Sequence, residues 1–397
     1  MPLTLNNFVG FETGGLEEAS ATVNSPTAQT TTVRSGTYAL SLAGAVSAPS
    51  YEIAPVGTNG GSGAIQGFGY RTTTVIPTND TDVFQAWSAN DATTLIRLRL
   101  KAVTGNVDLI DANNAVVGTI TAPFSANTWY FIELFWEILA AGDAEVFIDG
   151  VSKLSVLNKD FLNVLQNPRV ALFTGDNVVG QDTFIDDYYI LTGAVVTDRY
   201  SSGASSPWFS VPRTYQCTDE DATDLGNTLD VGTWANASEV PVNETNVATY
   251  STAGPMTGGT TTDSPSTRLG PTGGPTLGTI KGAKWIHQLK RGGGAGTTHS
   301  KRYGNSGDGL TDAVVALGTA FANFITLSEA ATAVPLATES FQYGMKTDGA
   351  QDITAAEIWA MIANVTAAVT DDVTARLVDF QMSISQPILE PTGVVAY

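Results

Sequence analysis

The alternation of apolar and polar residues is clearest between residues 124 and 156. One face of a strand in this segment would collect Tyr130, Ile132, Leu134, Trp136 and Ile138. The opposite face would alternate Phe131, Glu133, Phe135 and Glu137. A two-residue period of this kind is typical of a half-buried β-strand. A second alternating run then ends at Asp149-Gly150, a dipeptide that accepts the positive φ values of a two-residue turn, so the segment predicts a β-hairpin.

Similar patterns recur through the first half of the chain, separated by polar turns. We predict strands at residues 7–13, 35–44, 64–75, 83–88 and 94–103, and a hairpin broken by Asn113-Asn114. The strand at 94–103 places Arg97, Arg99 and Lys101 on one face. We interpret this as a solvated face whose charges pair with glutamates of nearby strands, Glu133, Glu137 and Glu145. Strands at this spacing, with almost no helical pattern, indicate an antiparallel sandwich or jelly roll.

The order of these segments resembles a known family. The runs SGTYALSL, LIRLRL, VDLIDANNAVVGT, FSANTWYFIELFWEI, AEVFIDGV and FIDDYYIL follow one another as in the laminin-G-like, concanavalin-A-like jelly roll of virion proteins from tailed bacteriophages. The resemblance covers roughly the first half of the chain. It implies that the opening strand, NNFVGFE, lies beside the closing strand, DDYYIL.

The second half predicts another β-rich domain. We place the boundary near Gly193, which divides the chain into a jelly-roll domain at 1–193 and a second β-sandwich domain at 194–397. Thr354 and Glu357 form a capping box before an apolar run, so we predict one short helix over residues 355–363. The stretch 250–278 is rich in Gly, Pro, Ser and Thr and cannot form a core of its own. We interpret it as an insertion, which is either a mobile loop or an arm that orders against a neighbouring subunit.

Composition and net charge argue against several classes of binding partner. The chain has 397 residues, of which 43% are hydrophobic and only 15% charged, with a net charge of −20. This charge argues against nucleic acid as a partner and against binding to an anionic membrane. The start of the sequence has no basic segment followed by an apolar run, so we expect no signal peptide and synthesis in a host cytoplasm. The one cysteine, Cys217, cannot form an intrachain disulfide, and we expect a buried thiol.

The patterns that could carry chemistry are weak. Glu133 and Glu137 resemble the paired glutamates of jelly-roll glycoside hydrolases, but Phe135 stands where those enzymes carry an aspartate. The acidic runs at 218–226 and 184–189 contain carboxylates that could bind Ca²⁺, but the first run does not place Asp or Asn at alternating positions before a Gly, as a calcium loop would. His287 and His299 have no companion cysteine for a zinc site. We therefore predict no catalytic residues, no metal and no cofactor.

Basic residues are concentrated in one segment of this acidic chain. They are Lys281, Lys284, Lys290, Arg291, Lys301 and Arg302. Such asymmetry suits an assembly contact with an acidic patch on another copy of the chain or on a virion neighbour. An ordinary polar strand face is the other interpretation of this segment.

The sequence thus predicts a non-enzymatic structural protein on the exterior of a phage particle, as a head decoration or tail-associated component. Its partners would be copies of itself and other virion proteins. The alternative is a receptor module that binds a host-surface glycan, with Trp129, Phe131 and Phe135 as a sugar-stacking surface.

Overall fold

The computed structural model describes residues 4–16, 18–53, 63–88, 94–162, 168–193, 214–219, 248–250, 266–271, 279–291, 299–305, 309–335, 341–347 and 353–363. Beyond residue 193, side chains are described at 284–287, 289–290 and 315–322. The described residues form 24 β-strands, numbered β1 to β24 along the chain, in three antiparallel sheets. This confirms the all-β fold class.

The first sheet holds the segment with the clearest alternation. Its members are β1 (Thr4–Val9), β3 (Thr27–Gln29), β4 (Ala39–Leu42), β6 (Gly63–Thr72), β11 (Tyr130–Glu137), β12 (Gly142–Ile148), β13 (Val151–Lys159) and β15 (Thr183–Gly193). They are ordered β13-β12-β11-β6-β15-β4-β3, and β1 also pairs with β15. The opening strand therefore lies beside the closing strand, with Phe8 opposite Tyr189, as the resemblance implied.

The second sheet packs against the first. It contains β2 (Ala21–Val23), β5 (Ser50–Ile53), β7 (Thr81–Ser88), β8 (Thr94–Leu100), β9 (Val107–Ile110), β10 (Val116–Ile120) and β14 (Pro168–Thr174). Their order is β10-β9-β8-β7-β14-β5-β2. Apolar side chains from both sheets form one buried cluster, which includes Trp136 and Leu134 of β11. Within it, the Phe68 ring stacks on Phe84 and meets Phe173 edge-on. The described residues up to 193 thus form a sandwich with a continuous core.

The local signals for turns are confirmed. Asp149 and Gly150 have φ values of 50° and 75° and join β12 to β13, as a two-residue hairpin turn requires. The Asn113-Asn114 turn joins β9 to β10, and the Asp111 carboxylate accepts hydrogen bonds from the N–H groups of Asn113 and Ala115 at 2.9 Å each. Short polar side chains that bond to the backbone two or four residues on stabilise turns in this way.

The basic residues predicted on one face of β8 do form ion pairs with acidic residues of a nearby strand, but the partners are aspartates and not the predicted glutamates. Arg99 donates two hydrogen bonds to Asp82 at 2.5 and 3.0 Å, Arg97 donates one at 3.2 Å, and Lys101 pairs with Asp80. These aspartates lie on and just before β7, the neighbour of β8 in the second sheet. The glutamates proposed as partners belong to the first sheet, which alternation along a single strand cannot reveal.

The third sheet is drawn entirely from residues beyond the first 193. Its strands are β16 (Thr214–Asp219), β17 (Ala248–Tyr250), β18 (Ser266–Pro271), β19 (Thr279–Arg291), β20 (His299–Asn305), β21 (Gly309–Val315), β22 (Ala322–Pro335), β23 (Phe341–Thr347) and β24 (Ile353–Ala363). Their order is β21-β20-β23-β18-β16-β24-β19-β22, and β17 pairs with β24. The Cys217 side chain, which we expected to be buried, lies outside the described residues.

The helix predicted over residues 355–363 is wrong, because β24 is a strand over Ile353–Ala363. It pairs along its length with β19 and at its ends with β16 and β17. A capping box is a local preference of about 1 kcal/mol, and pairing on both sides of the strand outweighs it.

β18 lies inside the stretch interpreted as an insertion, and it pairs with β16 on one side and β23 on the other. The domain boundary near Gly193 stays a prediction. In the described part of the chain, no helix has the length and hydropathy of a membrane span.

Candidate functional site on the outer face of the first sheet

The outer face of the first sheet, on the side away from the sandwich core, brings aromatic, acidic and glycine positions together. Register places Phe147, Glu133, Gly67, Tyr189 and Phe8 in one row across β12, β11, β6, β15 and β1. Phe131 and Phe135 lie two residues before and two residues after Glu133 in β11, so they share its face of the sheet. We call these seven residues the outer-face cluster.

The outer-face cluster is buried, which the sequence did not predict. Phe131 and Phe135 are 2% and 1% exposed, and Glu133 and Glu137 are 4% and 6% exposed. The sugar-stacking surface proposed from Phe131 and Phe135 is therefore closed, and Glu133 and Glu137 do not lie on a solvated face. Trp129, the third aromatic of that proposal, is partly exposed.

Glycines in β6 allow this face to pack tightly. Tyr189 lies flat across Gly67, donates a hydrogen bond from its hydroxyl to Glu133 Oε1, and stacks on Phe131 with ring centroids 6.2 Å apart. A Cβ atom at Gly67 would lie 2.3 Å from Tyr189 Cε1 and 2.9 Å from Phe131 Cζ. Only glycine leaves room for this arrangement. The signal was the sequence Gly67-Phe68-Gly69 inside a strand, because interior glycines often mark a close approach.

Arg34 covers the second of these glycines. A Cβ atom at Gly69 would lie 2.6 Å from Arg34 Cδ, and the Arg34 guanidinium lies 4.6 Å from the Phe131 ring centroid. The same guanidinium pairs with Asp187, whose other carboxylate oxygen accepts a 2.5 Å hydrogen bond from Ser35 Oγ. Asp187 has a φ of 49° and sits at a β-bulge of β15, which turns its side chain toward Arg34. The acidic run FIDDYY is thus occupied by intrachain partners.

Two further carboxylates are buried beside this ion pair. Asp186 accepts hydrogen bonds from the N–H groups of Arg34 and Ser35 at 2.8 and 3.2 Å, and Glu12 accepts them from Thr37 at 3.0 and 2.9 Å. Burial raises the pKa of Glu12 to about 8, against the lowering effect of these backbone hydrogen bonds. Burial, with the neighbouring charge of Asp187, also raises the pKa of Asp186 well above its usual range. We call Glu12, Arg34, Asp186 and Asp187 the carboxylate cluster.

A lysine from the third sheet reaches the edge of the outer face. Lys284 of β19 is 1% exposed, forms an ion pair with Glu18, and donates a hydrogen bond to the Phe8 carbonyl oxygen. Its Nζ also lies 4.9 Å from the centroid of the Phe8 ring. A buried ammonium needs such partners, because desolvation of an unpaired charge costs several kcal/mol. Lys284 therefore links the second half of the chain to the sandwich.

The six basic residues proposed as an assembly contact are placed as follows. Lys284 has the intrachain partners given above and is buried, which conflicts with a place in an intermolecular contact. Lys290 is partly buried, with Nζ 4.1 Å from the Phe321 ring centroid. The side chains of Lys281, Arg291, Lys301 and Arg302 lie outside the described residues. A contact through the other five residues stays a prediction.

The described residues offer no set of side chains that could bind a metal ion. They contain no group of three or more His, Cys, Asp or Glu side chains arranged to hold an ion. His287 is fully buried in β19, whereas the His299 side chain and residues 220–226 of the acidic run lie outside the described residues.

Fold and site together define the class of the protein: an all-β chain whose first half is an antiparallel, jelly-roll-like sandwich. No protein-family model matches the sequence, and no curated protein matches it either. Among solved structures, it is similar to the cellulose-induced protein Cip1, at 13% identity over 48% of this chain and 98% of that chain, with a TM-score of 0.38. It is also similar to an endo-β-1,4-glucuronan lyase from the fungus Trichoderma reesei, at 14% identity over 48% of this chain and 96% of that chain, with a TM-score of 0.36. The receptor binding domain of botulinum neurotoxin D is similar at 11% identity over 66% of this chain and 70% of that chain, with a TM-score of 0.34. At these identities and scores the likeness is one of fold and carries no argument about function.

The packing of the outer face makes a testable prediction. Gly67→Ala should destabilise the protein by about 1 to 3 kcal/mol, because the new methyl group overlaps the Tyr189 ring and forces the Tyr189–Glu133 pair apart. Gly118→Ala is the matched control, since its methyl group would meet only the flexible end of Leu154, and it should cost less than about 1 kcal/mol. Urea denaturation of both variants tests this. Equal stabilities would show that Tyr189 does not lie across Gly67.

Proposed function

We propose that this protein is a non-enzymatic structural component on the exterior of a tailed-phage particle, as a head decoration or a tail-associated part. It would act through protein–protein contacts with copies of itself and with other virion proteins. The phage assignment rests on the sequence resemblance of the first half, and the fold class agrees with it.

The observation that carries the structural role is the closure of the outer face. Its aromatic side chains are buried, its polar groups have intrachain partners, and Lys284 of the third sheet is anchored at its edge. A sheet face packed in this way supports a rigid building block. A ligand-binding module would instead keep a concave, partly apolar surface open to its ligand.

The absence of catalysis is part of the same proposal. Glu133 accepts a hydrogen bond from Tyr189, and Glu137 Oε2 accepts one from the Asp143 N–H at 3.1 Å. Both glutamates are buried, so a polysaccharide would have to displace the outer-face packing before it could reach either carboxylate. A general acid or nucleophile must lie within hydrogen-bond reach of its substrate.

The glycan-binding alternative loses support from the same burial. Two of the three aromatic side chains proposed to stack on sugars, Phe131 and Phe135, are covered within the chain. Trp129 alone offers a partly exposed ring, and sugar recognition would then need partners beyond this surface.

The test combines particle composition with ligand screening. In gradient-purified particles of the phage that encodes this chain, quantitative mass spectrometry should find the protein at a fixed ratio to the other virion proteins, retained after a high-salt wash. A glycan array probed with the full chain should give no saturable binding. Absence from particles would contradict the structural role, and saturable binding to a defined glycan would favour the receptor module. Polysaccharide turnover that is lost in Glu133→Gln would show an enzyme.

A further inference from the structure

Five buried polar side chains lie together at one end of the sandwich core. Tyr70 and Thr72 of β6 and Thr183 of β15 come from the first sheet, with Thr183 opposite Thr72 in the register. Thr81 begins β7 of the second sheet, and Asp176 follows two residues after the end of β14 in that sheet. Each of the five is at most 8% exposed. We call them the core-end pocket.

The members of the core-end pocket are close enough to act on one another. Thr81 Oγ1 lies 3.5 Å from Asp176 Oδ2. Burial raises the pKa of Tyr70, the Thr72 and Thr183 hydroxyls lower it, and the charge of Asp176 raises it. The two sheets thus bring a phenol, a carboxylate and three threonine hydroxyls into one buried region.

Two polar atoms of the pocket have no hydrogen-bond partner in the described part of the chain. They are the Tyr70 hydroxyl oxygen and Asp176 Oδ1, and both atoms are buried. Buried polar groups in folded proteins are almost always hydrogen-bonded, because an unpaired group bears the full cost of leaving water. The pocket therefore offers one donor and one acceptor to a guest.

The threonines of the pocket do not satisfy these two atoms. The Thr72 hydroxyl donates to the Thr74 carbonyl oxygen at 2.8 Å. The Thr81 hydroxyl lies nearer to the Asn79 carbonyl oxygen, at 3.2 Å, than to Asp176, at 3.5 Å. A hydroxyl has one proton to donate, so Thr81 gives Asp176 at most a long and weak hydrogen bond.

The chain does not balance the charge of Asp176 with a cation either. Asp176 takes part in none of the ion pairs among the described residues. Burial raises the pKa of its carboxyl group, whereas the N–H groups of Val178 and Asn177 and the Thr81 hydroxyl lower it. A guest that donates a hydrogen bond would stabilise this carboxylate.

The chemistry of the pocket indicates which guest fits. An apolar guest would leave both unpaired atoms without a partner, and the burial of all five residues admits only a small one. A metal cation would attract the Tyr70 hydroxyl oxygen but leave its proton without an acceptor. Water donates two hydrogen bonds and accepts two, and a buried water molecule typically makes about three.

We propose that the core-end pocket binds one or more ordered water molecules, which accept the Tyr70 hydroxyl proton and donate to Asp176 Oδ1. This water bridges the two sheets and holds the segment after β14 against the end of β6. The inference does not depend on the virion role, because it concerns the sandwich itself.

A double-mutant cycle on the full chain measures the bridge. Tyr70→Phe should lower the thermal midpoint by about 2 to 4 °C, because it removes one hydrogen bond to the water. The same change made in an Asp176→Leu background should lower it by less than about 1 °C, because that background has already lost the bridge. Asp108→Leu is the matched control background. Asp108 is 7% exposed and accepts a 2.6 Å hydrogen bond directly from Thr119, so Tyr70→Phe should there cost as much as in the wild type.

A high-resolution crystal structure of the full chain gives a second measurement that does not depend on the variants. It should show ordered water about 2.7 to 3.0 Å from Asp176 Oδ1. A direct hydrogen bond between Tyr70 and Asp176 would overturn the proposal, as would a Tyr70→Phe shift that is equal in the wild-type and Asp176→Leu backgrounds.

Salt identity separates water from a bound ion. The thermal midpoint of the wild type should be the same in sodium, potassium and choline chloride at equal ionic strength, because the bridge needs no cation. A midpoint that rises in sodium or potassium alone, and no longer does so in Asp176→Leu, would overturn the proposal in favour of a monovalent cation.

Discussion

Lys284→Met is expected to lower the free energy of unfolding of the full chain by about 3 to 5 kcal/mol. The substitution keeps the length of the side chain but leaves the Glu18 carboxylate, whose side chain is 3% exposed, without its ion-pair partner. The second Glu18 oxygen has no hydrogen-bond partner among the described residues, so no other group there compensates. The Phe8 carbonyl oxygen loses a donor as well. Urea denaturation followed by tryptophan fluorescence measures the loss.

Two controls separate the ion pair from a general effect of removing a lysine. Lys290→Met removes a partly buried ammonium that lies over the Phe321 ring, and it should cost about 1 kcal/mol or less. The double variant Glu18→Met/Lys284→Met should recover most of the stability, because apolar replacement of both partners of a buried pair is often neutral. A single variant Lys284→Met as stable as the wild type would show that Lys284 does not join the third sheet to the sandwich.

The second large effect concerns pH. Glu12 has a pKa raised to about 8 in the folded protein by burial, whereas an unfolded chain ionises it near 4.5. Between these values the folded state holds a proton that the unfolded state has released, so stability decreases as pH rises. The contribution of Glu12 is fully present below pH 4.5 and is lost as pH passes through about 8. Its size is on the order of 3 to 5 kcal/mol, at about 1.4 kcal/mol for each pH unit between the two values.

Glu12→Gln should remove this contribution. The amide stays neutral and can still accept the Thr37 N–H, so the stability of the variant should depend less on pH than that of the wild type. Thermal midpoints measured from pH 5 to pH 9 should fall further for the wild type than for Glu12→Gln, by about 5 °C. Glu145→Gln removes a carboxylate of β12 that lies outside the carboxylate cluster, and it should keep the wild-type pH dependence. Identical slopes for the wild type and Glu12→Gln would show that Glu12 is ionised in the folded state.

The sandwich could be predicted from the sequence because its signals are local. Alternation along β11 and the Asp149-Gly150 turn act within a few residues, and both are present in the structure. The prediction of a helix near residue 357 was wrong because a distant contact overrode the local signal. Its capping box is also local, but pairing of β24 with β19, some 70 residues earlier in the chain, decided the conformation.

The candidate site was harder to predict, because burial of the outer face depends on distant residues. Phe131 and Glu133 in alternation suggest an amphipathic, solvated face, and the pattern of one strand cannot show what lies above it. That face is closed by Tyr189, which lies 56 residues from Glu133, and its edge is held by Lys284, which lies 266 residues from Glu18. The glycines at 67 and 69 were the one signal within reach of the sequence.

The chain itself closes this face and holds Lys284 inside the fold. Acylation of the native full chain by an amine-reactive ester, followed by peptide mass spectrometry, tests it with an internal standard. Lys284 should react at least about 100-fold more slowly than the exposed Lys153, because labelling requires local opening, and the two rates should converge in urea. Equal rates in the native protein would contradict the account.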